Sequence, residues 1–333
     1  MKLTAAVLGA GSWGTTVASL MSHNIPTILW GRSASIVQEI NDHHTNATYL
    51  PGAKIATAVK ATTDMEEAVA QADIIVLGVP SKAMRDTLDE VKKYVRPWVP
   101  LISLAKGLEP GTRYRMTEII KEVLPGHPPG VLTGPNLAKE IIDGFAAASV
   151  LAMEDEVIVK QLQPVFGNGI FRVYHNTDVV GCELGGAFKN VIAIAAGMGD
   201  GSGAGVNTRS TVITRGLAEM TRLGRVMGGR ASTFAGLAGM GDMMATCTSA
   251  LSRNHTVGFK LGQGKKIDEI ISEMNQVAEG VKTSKVVMEL AQEHDIEMPI
   301  SLEVYRVCHE GSTARQAFRG LLRTQTGAES EPG

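Results

Sequence analysis

Aromatic residues make up only 5% of this 333-residue chain, cysteine occurs three times, and neither sign of charge prevails, since 32 basic and 34 acidic side chains leave a formal net charge of −2. Each scarcity removes a class of function. Without a basic excess or an extended basic tract the chain is not built to follow a phosphate backbone, so nucleic acid is excluded as a partner while local anion sites stay open. Cys182, Cys247 and Cys308 lie far apart with no Cys-x-x-Cys spacing, which signals neither a disulfide framework nor a zinc site, and no metal is expected. No apolar run approaches the length of a membrane span. The apolar start Met1–Leu8 is interrupted by Gly9-Ala10-Gly11 before a signal-peptide core develops. A reduced, cytoplasmic setting is expected. Hydrophobic residues, at 44%, nonetheless suffice for two packed domains in a chain of this length.

What is present begins with Val7-Leu8-Gly9-Ala10-Gly11-Ser12-Trp13-Gly14, a complete Gly-x-Gly-x-x-Gly turn directly after the apolar run from Leu3. In such a turn Gly9 permits the tight reversal, Gly11 lets backbone approach a pyrophosphate, and Gly14 lets the following helix pack on the strand. A helix starting near Ser12 aims its free N–H groups at the phosphates. The helical run Thr15–Met21 and a second strand-like run, Ile25–Trp30, complete the context of a dinucleotide site. About twenty positions after such glycines an acidic residue accepts ribose hydroxyls, whereas an arginine accommodates a 2′-phosphate. Arg32 stands there, with no carboxylate between Trp30 and Gln38, which favours NADP, or use of both cofactors, over strict NAD use. A solvated loop cation is the alternative reading of Arg32.

Up to about Tyr174 short apolar runs alternate with helical patterns. Strands are expected at Asp73–Val79, Val99–Leu104, Val131–Thr133, Ala147–Ala152 and Phe171–Tyr174, with helices between them, which predicts an α/β doubly wound, mostly parallel Rossmann-type sheet covered by helices on both faces. Past Thr177 the strand signal vanishes and long Ala-, Gly-, Leu- and Met-rich runs predict an all-helical second half. The expected division is a dinucleotide-binding domain over 1–178, a helical substrate domain over 179–325 and a disordered tail over 326–333, with the substrate cleft between the halves. The Met- and Ala-rich helical faces admit a homodimer and are explained equally by core packing.

Three segments carry candidate chemistry. Lys106, in Ser103-Leu104-Ala105-Lys106-Gly107, follows a buried strand at the sheet edge where ligands collect, a place where a cation needs a partner. Lys189 lies mid-helix among Phe188, Val191, Ile192 and Ala193, with Asn190 beside it and Gly185-Gly186 a turn earlier, an arrangement suited to a functional amine approached by a ligand or to a lysine snorkelling to solvent. Gly185, Gly186 and Gly197 each cost helix propensity, about 1 kcal/mol, which close helix packing or a ligand would offset. Asp242, in Gly239-Met240-Gly241-Asp242, is either a functional carboxylate or a helix N-cap. Cys247 nearby reads as a small buried hydrophobe. Ser252-Arg253-Asn254, at the start of the helical run His255–Leu261, forms a compact oxyanion receptor suited to a phosphate monoester, or else one surface arginine beside an ordinary cap.

Taken in order, these residues, together with Leu29-Trp30-Gly31-Arg32, Gly134-Pro135-Asn136-Leu137-Ala138-Lys139-Glu140 and Ile213-Thr214-Arg215-Gly216-Leu217-Ala218-Glu219-Met220, resemble the bacterial type of NAD(P)-dependent glycerol-3-phosphate dehydrogenase over almost the whole chain. The resemblance implies reversible hydride transfer between NAD(P)H and dihydroxyacetone phosphate to give sn-glycerol 3-phosphate for glycerophospholipid synthesis. It implies that Ser12, Trp13, Arg32, Lys106, Ala138, Arg253, Val277 and Glu279 contact the dinucleotide alongside Gly9, Gly11 and Gly14. It places Lys106, Gly134, Asn136, Lys189, Asp242, Ser252, Arg253 and Asn254 around the substrate, with Lys189 as acid/base and Lys106 and Asp242 beside it. Asn136 departs from the serine most common after Gly-Pro, and its amide still donates hydrogen bonds. Two rivals remain. A β-hydroxyacid dehydrogenase shares the Gly-Gly and Lys-Asn helix, but the Ser252-Arg253-Asn254 segment and the Ala105–Glu109 motif favour the phosphate substrate. A redox sensor binding dinucleotide without chemistry has no need of paired lysines.

Overall fold

The computed structural model describes residues 3–274 and 278–321. Short runs such as Ala-Ala-Val-Leu and Ile-Ile-Val-Leu, buried at every position, have the continuous hydrophobicity of strands covered on both faces. They become β1 (Ala5–Leu8) and β4 (Ile74–Leu77), joined by β2 (Thr27–Trp30), β3 (Lys60–Thr62), β5 (Leu101–Ser103), β6 (Pro129–Thr133), β7 (Ala147–Met153) and β8 (Phe171–Asn176). The eight strands form one sheet in the order β3-β2-β1-β4-β5-β6-β7-β8. Every pairing is parallel except β6 with β7. Ala5 lies in register with Thr27 on one side and Ile74 on the other, so the chain reverses direction of travel across the sheet at β1 and β4. That switch point opens a crevice at the carboxyl ends of both strands.

Alternation along the strands divides the burial. Val7, Val76 and Ile102 pack on one face of the sheet, and Ala6, Leu8, Ile75 and Leu77 on the other. The mostly parallel sheet matches the sequence reading; β3 was not among the expected strands. Lys60-Ala61-Thr62 is a three-residue edge strand with an exposed lysine, too short and too polar to register as an apolar run.

The chain forms two compact units, one of residues up to Ala105 with Tyr114–Val179, the other of Lys106–Arg113 with the chain from Val180 on. Helices make up the second. Its centre is the helix Val179–Gly201, whose Phe188, Val191, Ile192 and Ile194 lie in a core that Leu108 joins from the separate segment. This helix corrects one expectation, for its 23 residues are long and apolar enough to cross a membrane by length and composition. Because 94% of its most apolar stretch is buried inside the protein, it serves as a core helix. The expected tail over 326–333 lies outside the described residues.

Glu219, buried within the helix Val206–Val226, accepts hydrogen bonds from Ile300 N at 2.6 Å, Ser301 N at 3.1 Å and Ser301 Oγ at 2.9 Å. It thereby satisfies orphan donors at the start of the helix Pro299–His309. Glu219→Ala leaves those buried donors bare, and we expect a loss of about 2–4 kcal/mol, read from the urea midpoint. An unchanged midpoint would mean that the three bonds add nothing to stability.

Candidate active site

The glycine turn of the first unit sits at the switch point. Gly9 adopts φ +123°, and a methyl there would lie 2.7 Å from the backbone of Gly78, so only glycine fits. A Cβ at Gly14 would come within 2.0 Å of Gly9 O, which is how closely the helix Ser12–Ser22 is seated on the turn. Gly11, by contrast, faces open space, and no side chain caps the helix that follows it. A clear approach to uncapped N–H groups is what a pyrophosphate requires, so these residues fit a dinucleotide. Trp13 Nε1 is buried with no partner among the described residues, while the indole ring packs edge-on against Phe171. Arg32, two residues beyond β2, is exposed. Ala138 begins the short helix Ala138–Ile142, and its carbonyl accepts from Thr16 Oγ1 at 3.4 Å, which ties it to the glycine-turn helix.

Within the second unit, Lys106 and Lys189 converge on one carboxylate. Lys106 Nζ donates to Asp242 Oδ2 at 2.7 Å, and Lys189 Nζ donates to Asp242 Oδ1 and, at 2.6 Å, to Thr246 Oγ1. Thr246 spends its own proton on Asp242 O at 2.6 Å and so is fixed as an acceptor toward the lysine. Asp242 is therefore no N-cap. It is the first residue of the helix Asp242–Thr248, capped by Gly241 without a side-chain bond, and its carboxylate serves the two lysines. The side chains of Lys189 and Asp242 are 6% and 1% exposed, and that of Lys106 is 16% exposed. One buried carboxylate compensates one buried ammonium, not two. Burial pushes the Lys189 ammonium down to about 7; Asp242 opposes the shift and Lys106 reinforces it.

The first of the two glycines before Lys189 is explained by packing. A Cβ at Gly185 would lie 2.6 Å from Ala238 O, so the space is taken by the π-helical turn Leu237–Gly241 that leads into Asp242, and not by a ligand. Cys247 is buried, its thiol pushed up to about 12 by burial, and inert as expected.

The segment Ser252-Arg253-Asn254 opens the helix Arg253–Gly262. Ser252 Oγ caps it by accepting from His255 N at 3.2 Å, and Arg253 is exposed at its first turn. Burial of part of its guanidinium lowers the Arg253 pKa, and the Glu279 carboxylate nearby opposes that shift. The Asn254 amide is held from both ends, donating to Asn190 Oδ1 and accepting from Gly280 N, each at 2.9 Å. Asn190 in turn donates to Lys106 O at 3.1 Å. A chain of amides thus links Asn254 to the backbone of Lys106.

The structure gathers Lys106, Lys189, Asp242, Ser252, Arg253 and Asn254 in one unit, while Gly134 and Asn136 belong to the other. There Gly134 has φ +138°, and Asn136 Nδ2 donates to Ser149 Oγ at 3.2 Å with its Oδ1 buried and unpartnered among the described residues. Val277 lies outside the described residues. Sequence reasoning missed Asn46, which is fully buried and braces the glycine turn through Ala10 O and Thr15 Oγ1, both at 3.0 Å. It also missed Gly78, whose lack of a side chain admits Gly9 and Gly14. A glycine closing a central strand was the available signal for Gly78; Thr246, one turn after Asp242 on the same helix face, could have been found from that spacing.

Residues 4–159 match a family model described as the N-terminus of NAD-dependent glycerol-3-phosphate dehydrogenase, and residues 178–319 match one described as its C-terminus. The chain belongs to this family. It is 59% identical over its full length to a glycerol-3-phosphate dehydrogenase [NAD(P)+] of Sphingopyxis alaskensis, with the whole of each chain covered. It is 55% identical to one of Mycobacterium tuberculosis, over 97% of this chain and 95% of the relative. The crystal structure of a glycerol-3-phosphate dehydrogenase from Coxiella burnetii superposes with a TM-score of 0.92 at 37% identity, over 97% of this chain and 99% of that one. The chain is thus an oxidoreductase of the glycerol-3-phosphate dehydrogenase family, which acts with NAD or NADP on a small molecule.

The shared carboxylate makes a direct test available. Asp242→Asn removes the main support for the Lys189 ammonium, so its titration midpoint, followed by NMR of lysine-labelled protein, should move below about 7. An unmoved or higher midpoint would mean that Asp242 does not hold the charge.

Proposed function

We propose that the chain catalyses reversible hydride transfer between NAD(P)H and dihydroxyacetone phosphate, giving sn-glycerol 3-phosphate for glycerophospholipid synthesis in the cytoplasm. The observation that carries this reading is the convergence of Lys106 and Lys189 on Asp242, in the same unit as the receptor Ser252-Arg253-Asn254. Gly9, Gly11, Ser12, Trp13, Gly14, Ala138, Val277 and Glu279 would hold the dinucleotide, with Arg32 reading a 2′-phosphate. The nicotinamide, when bound, supplies or accepts the hydride.

The chain's own residues do the rest. Arg253, Asn254 and Ser252 bind the substrate phosphate at a helix N-terminus, where the dipole and the guanidinium act together. The phosphate anchors the ketone, and Lys189 faces the carbonyl oxygen. As negative charge develops there, the Lys189 ammonium stabilises it and passes its proton to the oxygen, while Lys106 adds a second positive charge and Asp242 fixes both amines. In the oxidising direction neutral Lys189 accepts the hydroxyl proton, which an ordinary lysine does poorly near neutral pH. Gly134 and Asn136 complete the substrate contacts in this reading. The chain alone accounts for every residue named, and a homodimer is compatible with it.

The test is loss of NADPH or NADH absorbance on adding dihydroxyacetone phosphate, set against unphosphorylated hydroxyacids; no response to the phosphate ester would sink the reading. With Lys189 held at about 7, reduction should be fastest below that pH and decline as pH rises through it, whereas oxidation should rise through the same range. Lys189→Ala should keep dinucleotide affinity in fluorescence titrations and lose about 10³-fold in kcat, within the range of acid–base and electrostatic contributions. Near-normal turnover would remove Lys189 from the role. Arg32→Ala should weaken NADPH more than NADH, and equal losses would show that Arg32 does not read the 2′-phosphate.

A further inference from the structure

Gly197 and Gly201 lie four residues apart on the helix that carries Lys189, and Gly258 and Gly262 lie four apart on the helix that starts at Arg253. Each pair therefore occupies one face of its helix. A Cβ at Gly197 would stand 2.2 Å from His255 O, and one at Gly201 would stand 2.0 Å from Phe259 O. From the other side, a Cβ at Gly258 would meet Ile194 O at 2.1 Å, and one at Gly262 would meet Met198 O at 2.4 Å. The obstructing atoms are all backbone carbonyls, which cannot swing aside as a side chain end can. The two helices cross with main chain against main chain.

Polar contacts fix the sliding and rotation of this crossing. Asn254 Nδ2 donates to Asn190 Oδ1 at 2.9 Å on the side nearer the lysine. His255 Nε2 and Asp200 Oδ2 share a hydrogen bond of 2.8 Å, with Asp200 Oδ1 held by Arg209 Nε at 2.9 Å. Ser202 Oγ donates to Gly262 O at 3.3 Å at the far end.

We propose that Gly197, Gly201, Gly258 and Gly262 are positioning residues for the reaction, setting the span between the amine that faces the ketone and the receptor that holds the phosphate. This rests on the functional reading above. Lys189 precedes Gly197 by eight residues, and Arg253 precedes Gly258 by five. At a rise of about 1.5 Å per residue the crossing is therefore roughly 12 Å from one group and 7 Å from the other. A methyl group at any of the four positions forces the helices apart by about 1 Å, and a misplacement of that size costs roughly 10² in rate when both ends of a substrate must be held together. A ketone without a phosphate uses only one of the two ends and is insensitive to the span.

The experiment compares Gly258→Ala with wild type on dihydroxyacetone phosphate and on unphosphorylated dihydroxyacetone. The expected result is a fall of about 100-fold in kcat/KM for the phosphate ester with less than about threefold change for the free ketone. Gly205→Ala, at a position where a Cβ meets nothing within 4 Å, should leave both unchanged. Equal losses on both substrates, or none on either, would overturn the proposal. Should Gly258→Ala fail to fold, Gly262→Ala at the last position of its helix gives the milder displacement, with about tenfold selective loss expected. If neither variant folds, the glycines serve folding alone and the proposal falls. A wild-type protein that ignores dihydroxyacetone phosphate would overturn the functional reading itself, a separate outcome visible before any variant is made.

Discussion

A single buried carboxylate shared by two lysines is the constraint on which the second unit turns. Asp242 costs desolvation energy wherever it is placed in an apolar core, and it is tolerable there only because ammonium groups face both of its oxygens. The same arithmetic leaves the lysines under-compensated. With two cations and one anion, the site carries a standing demand for negative charge, and the most buried amine, Lys189, meets part of that demand by giving up its proton readily. A reaction that generates an alkoxide supplies the missing charge only as it proceeds, which is the condition for stabilising a transition state more than a ground state.

The two units build their candidate sites by different means. In the first, backbone does the work. Gly9, Gly14 and Gly78 press main chain against main chain, Gly11 leaves its outer face clear, and the helix amides stay uncapped. In the second, the cationic side chains come from the long helix Val179–Gly201 (Lys189), from the segment that carries Leu108 (Lys106) and from the start of the helix Arg253–Gly262, and glycines bring those two helices together. Glycine therefore has two roles in one chain: opening space toward a ligand at Gly11 and closing space between helices at Gly185, Gly197 and Gly258.

Much of this was legible in the sequence because its signals are local. The glycine turn, the alternation of apolar runs and the cap-like Ser252-Arg253-Asn254 each occupy a few adjacent residues, and each is found where expected. Features set by distant packing were not. Asn46 gives no hint in its own neighbourhood that it braces Ala10, thirty-six residues earlier. The role of Gly185 was open between ligand and packing because its neighbour, Ala238, is contributed by a turn more than fifty residues away. Lys106 follows a strand of the first unit and looks like part of it, yet the residues it contacts, Asp242 and the Asn190 amide, belong to the second.

That short excursion of Lys106–Arg113 has a consequence for how the polypeptide is made and divided. Leu108 emerges from the ribosome well ahead of Leu184, Phe188 and Met243, with which it shares a core, so an apolar side chain must wait for its companions until the later helices have been synthesised. The boundary that looks natural for cutting the gene in two, near Val179, separates these pieces for good. A recombinant fragment starting there would have an interior lacking Leu108 and a carboxylate deprived of one of its cations, and its defect would have been introduced by the scissors rather than by any change in its own residues.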